Sequence, residues 1–182
     1  MRALSIVGAG GLFICAVVIL WRAGLPAAPD FFVRLPADER IEAPVAGGLV
    51  PAFEGQTLDG QHLRVNADMG HPLIINFWAT WCEPCIREMP LLETAYQAGV
   101  PVVGVNAGDE APEHVYAWLR EHAIQFPVVL DDAARSIEAQ YRVQGLPTTL
   151  FVDAQGVVRQ VHRGALTLED LAEALRLLEN TS

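Results

Sequence analysis

Cys82-Glu83-Pro84-Cys85 sets two thiols three residues apart, between the apolar run PLIINFWATW and a segment with helical periodicity. A thiol at a helix start faces unsatisfied backbone N–H groups and the positive end of the helix dipole, so its thiolate is favoured and attacks disulfides. The chemistry this predicts is reversible dithiol-disulfide exchange. Glu83 adds a like charge beside the first sulfur, which opposes thiolate formation and makes the couple more reducing. Zinc is the competing use of a CxxC pair, but tetrahedral zinc takes four ligands. The sequence offers neither a second Cys pair nor a closely spaced His pair among its five histidines. Neither a metal nor a cofactor is predicted.

The elements that must hold this pair can be read around it. Leu73 to Trp78 is a continuous apolar run of the kind buried on both faces of a sheet. Ile86 to Gln97 carries Ile86, Met89, Leu92 and Tyr96 at helical spacing, with Pro90 as a kink. Upstream, strands around Ala52 to Glu54 and His62 to Val65 flank the turn signal Asp59-Gly60. Downstream come a strand over Pro101 to Asn106, a helix from Pro112 to Ala123, a strand over Phe126 to Leu130 and a short helix from Ala133 to Tyr141. After Gly145-Leu146-Pro147-Thr148, two strands turn about Asp153 to Gly156, and Thr167 with Asp170 caps a last helix through Leu178. Strands alternating with helices, then a hairpin and a helix, predict an α/β domain with a mixed sheet covered on both faces.

The 12 basic residues, all arginine, stand against 22 acidic ones, and every acid lies beyond Arg22. That balance argues against nucleic acid as a partner. Leu4 to Trp21 contains no charge and, as a helix, would span roughly 27 Å, close to the hydrocarbon thickness of a bilayer. The residues RAGLPAAPD that follow give no clean signal-peptidase site, so an uncleaved anchor over 1–22 is expected, with Cys15 a buried apolar residue in it. Pro26, Pro29, Pro36 and Pro44 then mark a tether over 23–48, which leaves 49–182 as the folded domain.

NFWATWCEPC, the proline five residues after the second cysteine, and GLPTTLFVDAQG together resemble thioredoxin-fold proteins of the TlpA/ResA type, with CcmG/DsbE-type proteins as near relatives. The resemblance covers about Pro51 to Glu179. It implies a thioredoxin fold with an N-terminal β-hairpin extension and an N-terminal transmembrane helix. Cys82 would be the attacking cysteine, Cys85 the resolving one, and the two would form the redox-active disulfide. Pro147 would be the cis-proline beside them, and with Leu146 and Thr148 it would pair a substrate segment as an added strand. Trp81, Glu83 and Pro84 would complete the substrate contact. Glu88 matches an acidic residue that ResA-like members use near the active site and would take the proton from Cys85. Asn76 stands where thioredoxin has a buried Asp, and Thr148 where CcmG-like members often have Glu; both point to the ResA type.

The implied function is reduction of protein or peptide disulfides, with apocytochrome c and its CxxCH segment as substrate and a transmembrane thiol protein as electron donor. The implied location is the periplasmic face of the cytoplasmic membrane. A thiol peroxidase is the alternative enzyme, because VVGVNAGD and FPVVLD also occur in peroxiredoxin-like relatives. Such enzymes surround their cysteine with a Pro-x-x-x-Thr-x-x-Cys pattern, and Ile75 and Ala79 occupy those positions here. A non-enzymatic chaperone or metal-delivery protein is the third possibility.

Overall fold

The computed structural model describes residues 45–179, so the predicted anchor and almost all of the predicted tether lie outside the described residues. Among those described, no helix is long and apolar enough to cross a membrane.

The chain opens with an antiparallel hairpin, β1 (Phe53–Gln56) and β2 (His62–Val65), which forms a sheet of its own. There follow β3 (Leu73–Trp78), α1 (Glu83–Gln97), β4 (Val102–Asn106), α2 (Pro112–Glu121), β5 (Val128–Leu130) and α3 (Ser136–Gln140). The chain then completes β6 (Thr148–Val152), β7 (Val158–Arg163) and α4 (Leu168–Glu179). The main sheet has the order β5-β4-β3-β6-β7; β3, β4 and β5 run parallel, and β6 and β7 are antiparallel to their neighbours.

All six side chains of β3 are buried, as a central strand with both faces covered requires. Alternation sends Leu73, Ile75 and Phe77 into one core with Val103, Val105, Ile137 and Tyr141. Ile74 and Trp78 enter the other, which Met89 and Leu92 of α1, Val115 and Leu119 of α2 and Leu171, Ala174 and Leu178 of α4 complete. Each of these large side chains stabilises the fold by roughly 1.5–3 kcal/mol on burial. Pro90 lies within α1 without ending it, and Thr94 returns its hydroxyl to the Pro90 carbonyl at 2.8 Å.

Register decides what meets the thiols. Trp78 pairs with Asn106 and Phe77 with Thr148, so the chain leaving β3, the loop leaving β4 and the loop entering β6 share one edge of the sheet.

A Cβ on Gly104 would stand 3.0 Å from Trp78 Nε1 and from Val128 Cγ2 and 3.1 Å from Phe126 Cε2, all on side chains held in the core. Gly104→Ala is expected to destabilise the protein by about 1–3 kcal/mol through overpacking, measured by urea unfolding.

Candidate active site

Cys82 takes part in two structures at once. Its N–H donates to the Ala79 carbonyl at 3.2 Å, closing the turn out of β3, and its extended backbone makes it the N-cap of α1. Its sulfur accepts the Cys85 N–H at 3.3 Å, the place a serine oxygen would take at a conventional cap. The helix begins at Glu83, so the thiols stand at a helix start as the sequence predicts, ahead of the periodic run from Ile86. Cys82 and Cys85 are joined as a disulfide. Cys82 is 5 % exposed and Cys85 0 %, so only Cys82 offers its surface to a partner.

Trp81, Cys82, Glu83, Pro84 and Leu146, all named from the sequence, line one groove of about 450 Å³. The peptide bond from Leu146 to Pro147 is cis. Pro147 and Thr148 are buried and do not line the groove; the Thr148 hydroxyl donates to the Gly145 carbonyl at 2.7 Å, which braces the loop from within. The far wall comes from Arg135, Glu138, Val143 and Gln144, none of which the sequence singled out. Asp131 and Asp132 build that wall by accepting the N–H groups of Ser136, Ile137 and Glu138 at the start of α3. Another cavity, of about 430 Å³, lies beside the other end of β3 and β4 between Met69, His71 and Pro127 and holds no thiol.

Glu83 is exposed and pairs with Arg87 at 2.9 Å, one turn along α1. Its charge is thus partly countered, and its opposition to the Cys82 thiolate is weaker than the bare sequence predicts.

Glu88, on the same helix, is 1 % exposed. One carboxylate oxygen accepts the Asn76 side-chain N–H at 2.7 Å and the other the Leu166 backbone N–H at 2.6 Å. Burial pushes its pKa from the ordinary 4.5 up to about 7, against the pull of those two hydrogen bonds. A carboxylate that titrates near neutrality one turn below Cys85 fits a proton acceptor for that thiol.

A second carboxylate stitches the site together. Glu110 accepts the Thr80 N–H and the Asn106 side-chain N–H at 2.9 Å each, and also the Thr80 hydroxyl, with His114 Nε2 3.6 Å away. Burial pushes Glu110 up, but the hydrogen bonds from Thr80 and Asn106 and the His114 charge outweigh it and hold the carboxyl below its usual range. Trp81, 64 % exposed, is fixed by its indole N–H donating to the Gly108 carbonyl at 3.3 Å. The turn before Cys82 and the loop after β4 are therefore one unit. Of these residues the sequence singles out Trp81 and not Thr80, Gly108, Glu110 or His114, although the loop at the carboxyl end of a parallel strand is where α/β sites form.

Fold and site define a thioredoxin-like thiol-disulfide oxidoreductase, a CxxC disulfide at a helix start beside a cis-proline loop. The chain belongs to the AhpC/TSA family, whose model matches residues 46–161, and within it to the ResA type. It is 34 % identical over 167 residues to the thiol-disulfide oxidoreductase ResA of Geobacillus kaustophilus, covering 90 % of this chain and 91 % of that protein. The thiol:disulfide interchange protein DsbE of Escherichia coli is 30 % identical over 83 % of this chain and 80 % of its own length. The crystal structure of StoA from Bacillus subtilis superposes with a TM-score of 0.60 at 27 % identity, over 70 % of this chain and 99 % of that one.

Two outcomes follow from these carboxylates. Because folded Glu88 binds its proton more tightly than the unfolded chain does, its contribution to stability is fully present below the unfolded value of 4.5 and is lost as pH rises to about 7. Against Glu88→Gln, the wild type should lose on the order of 3 kcal/mol across that window, measured by chemical unfolding of the oxidised protein at each pH. At Gly108 a Cβ would overlap the Glu110 carboxylate, so Gly108→Ala and Glu110→Gln should each cost about 1–3 kcal/mol by displacing or weakening the same charged acceptor; equal stability of either variant to the wild type would contradict the clamp.

Proposed function

We propose that this oxidoreductase works as a reductase of protein or peptide disulfides, anchored by its N-terminal segment in the cytoplasmic membrane with the folded domain on the periplasmic side. The observation that carries the reading is the division of the pair: Cys82 reaches an open groove, while Cys85 and Glu88 are sealed beneath it. In the reduced protein the Cys82 thiolate attacks a substrate disulfide, forming the mixed disulfide and releasing one substrate sulfur as thiolate. Cys85 gives its proton to Glu88 and attacks Cys82; the Cys82–Cys85 bond forms, the mixed disulfide breaks, and the second substrate sulfur leaves and is protonated. The enzyme loses two electrons and the substrate gains them.

Direction and place rest on further grounds. An acidic residue in the CxxC and a protonatable carboxyl below it both disfavour thiolates, which makes a couple more reducing. The uncharged stretch from Leu4 to Trp21 suits a span, and disulfides persist outside the cytoplasm. The resemblance to ResA-type proteins supports apocytochrome c, with its CxxCH segment, as substrate and a transmembrane thiol protein as electron donor. The peroxidase alternative gains nothing from the site, where Ile75 and Ala79 are both fully buried in the core.

Cys85→Ser, produced in the native host, is expected to accumulate a covalent mixed disulfide through Cys82 with one identifiable partner, and Cys82→Ser to accumulate none. Mass spectrometry after thiol blocking reads the result. Random or noncovalent partners alone would remove the support for a specific reductase, and thiol labelling that found the domain on the inner side would remove its location.

A further inference from the structure

Asn76 carries an arrangement that its place in the core does not require. It sits at the middle of β3, fully buried, where either neighbour on its face, Ile74 or Trp78, is apolar. One amide hydrogen goes to Glu88 Oε1 at 2.7 Å and the other to Thr149 Oγ1 on β6 at 2.9 Å. Its carbonyl oxygen, equally buried, has no hydrogen-bond partner among the described residues. An unpaired buried carbonyl is costly, and a native structure that keeps one usually uses it.

We propose that Asn76 is the positioning residue that lets Glu88 take up and return a proton inside the core, serving both of its charge states. The amide N–H donates to Glu88 as a carboxylate. When Glu88 is protonated it needs an acceptor, and a half-turn of the Asn76 amide brings the unpaired oxygen to the same place, between Glu88 Oε1 and Thr149 Oγ1. Thr149 tolerates the exchange because a hydroxyl accepts from an N–H and donates to a carbonyl. Only the two N–H bonds, to Glu88 and Thr149, hold the amide as it stands, and the oxygen replaces both with the direction reversed after the half-turn. An Asp at 76 would supply a second carboxylate and a leucine neither donor nor acceptor, whereas an amide supplies a donor and an acceptor without a charge.

The groups that bond Glu88 are Asn76 of β3 and the Leu166 N–H before α4, with the Cys82–Cys85 pair along its own helix; among the described residues no neighbouring charge contributes to its shift. The inference rests on the thiol-disulfide reading of the site. In each turnover Cys85 S–H gives its proton to the Glu88 carboxylate, and the departing substrate thiolate or solvent receives it when Glu88 ionises again.

The test is NMR titration of the reduced wild type, Asn76→Leu and Asn76→Asp, following the Glu88 carboxyl carbon and the Asn76 side-chain amide. In the wild type both signals should move with one midpoint. In each variant the Glu88 midpoint should rise by about one unit or more, since one loses the donor to the carboxylate and the other places a like charge beside it. The pH profile of substrate-disulfide reduction should shift by the same interval. An Asn76 amide that stays flat through the Glu88 titration, or Glu88 midpoints unchanged in folded variants, would overturn the proposal. Should Asn76→Leu fail to fold, the wild-type amide signal and Asn76→Asp still decide. The reading beneath it is tested separately: a wild type without a reversible two-electron couple in glutathione buffers fails as an oxidoreductase whatever Asn76 does.

Discussion

The helix that presents the reactive sulfur begins on that sulfur. Cys82 ends the turn out of β3 and caps α1 with its own Sγ, so the orientation of that sulfur is fixed by the same hydrogen bonds that start the helix. Because β3 is buried on both faces, its end cannot drift, and the first turn of α1 inherits that rigidity. The partial positive charge of the turn then falls on an atom whose place is already set. The rest of the site is arranged about this point: the β6 loop through the Phe77–Thr148 pairing, and the β4 loop through Trp78–Asn106.

Burial separates two side chains of identical chemistry. The sulfur at the cap touches the groove; the sulfur one turn along does not. A partner that enters the groove therefore touches Cys82 and not Cys85. The groove is assembled from four separate segments, of which α3 and the loop after it contribute Arg135, Glu138, Val143 and Gln144. Its mixture of an exposed indole, apolar side chains and both signs of charge suits a polypeptide better than a small molecule.

What was legible in the sequence follows the strength of the local signal. The central strand announced itself because a run buried on both faces has no polar alternation to confuse it, and the mixed, two-sided sheet followed from the order of elements. The helical periodicity after the thiols starts at Ile86, and the Cys82 sulfur carries the helix back to Glu83 by accepting an N–H as serine's oxygen does, a contact no sequence pattern announces. β5 is shorter than the apolar run Phe126 to Leu130, since Pro127 has no N–H to give to a ladder. α3 begins at Ser136 rather than Ala133 because the Asp131-Asp132 pair gathers its first N–H groups and Arg135 takes a left-handed conformation. The thiols, Trp81 and Leu146 were legible as site residues by motif. The α3 wall and the Glu110 clamp were not: the Asp131-Asp132 cap is local, but what brings α3 opposite the thiols, and Glu110 onto Thr80, is tertiary packing that no local pattern encodes.

Glu88 and Glu110 show how little of a carboxylate's behaviour lies in its type. Both are withdrawn from water close to the same two cysteines, and desolvation pushes both upward. Glu110 receives two donors from Thr80 and one from Asn106, with a histidine beside it, and these hold it charged. Glu88 receives two donors in all, too few to offset burial in an apolar core, and is left balanced near neutrality. The number of donors thus sorts one carboxylate into a fixed anion that holds the loops together and the other into a group able to exchange a proton. A third strong donor to Glu88 would offset its burial and hold it as a permanent anion, as the donors to Glu110 do.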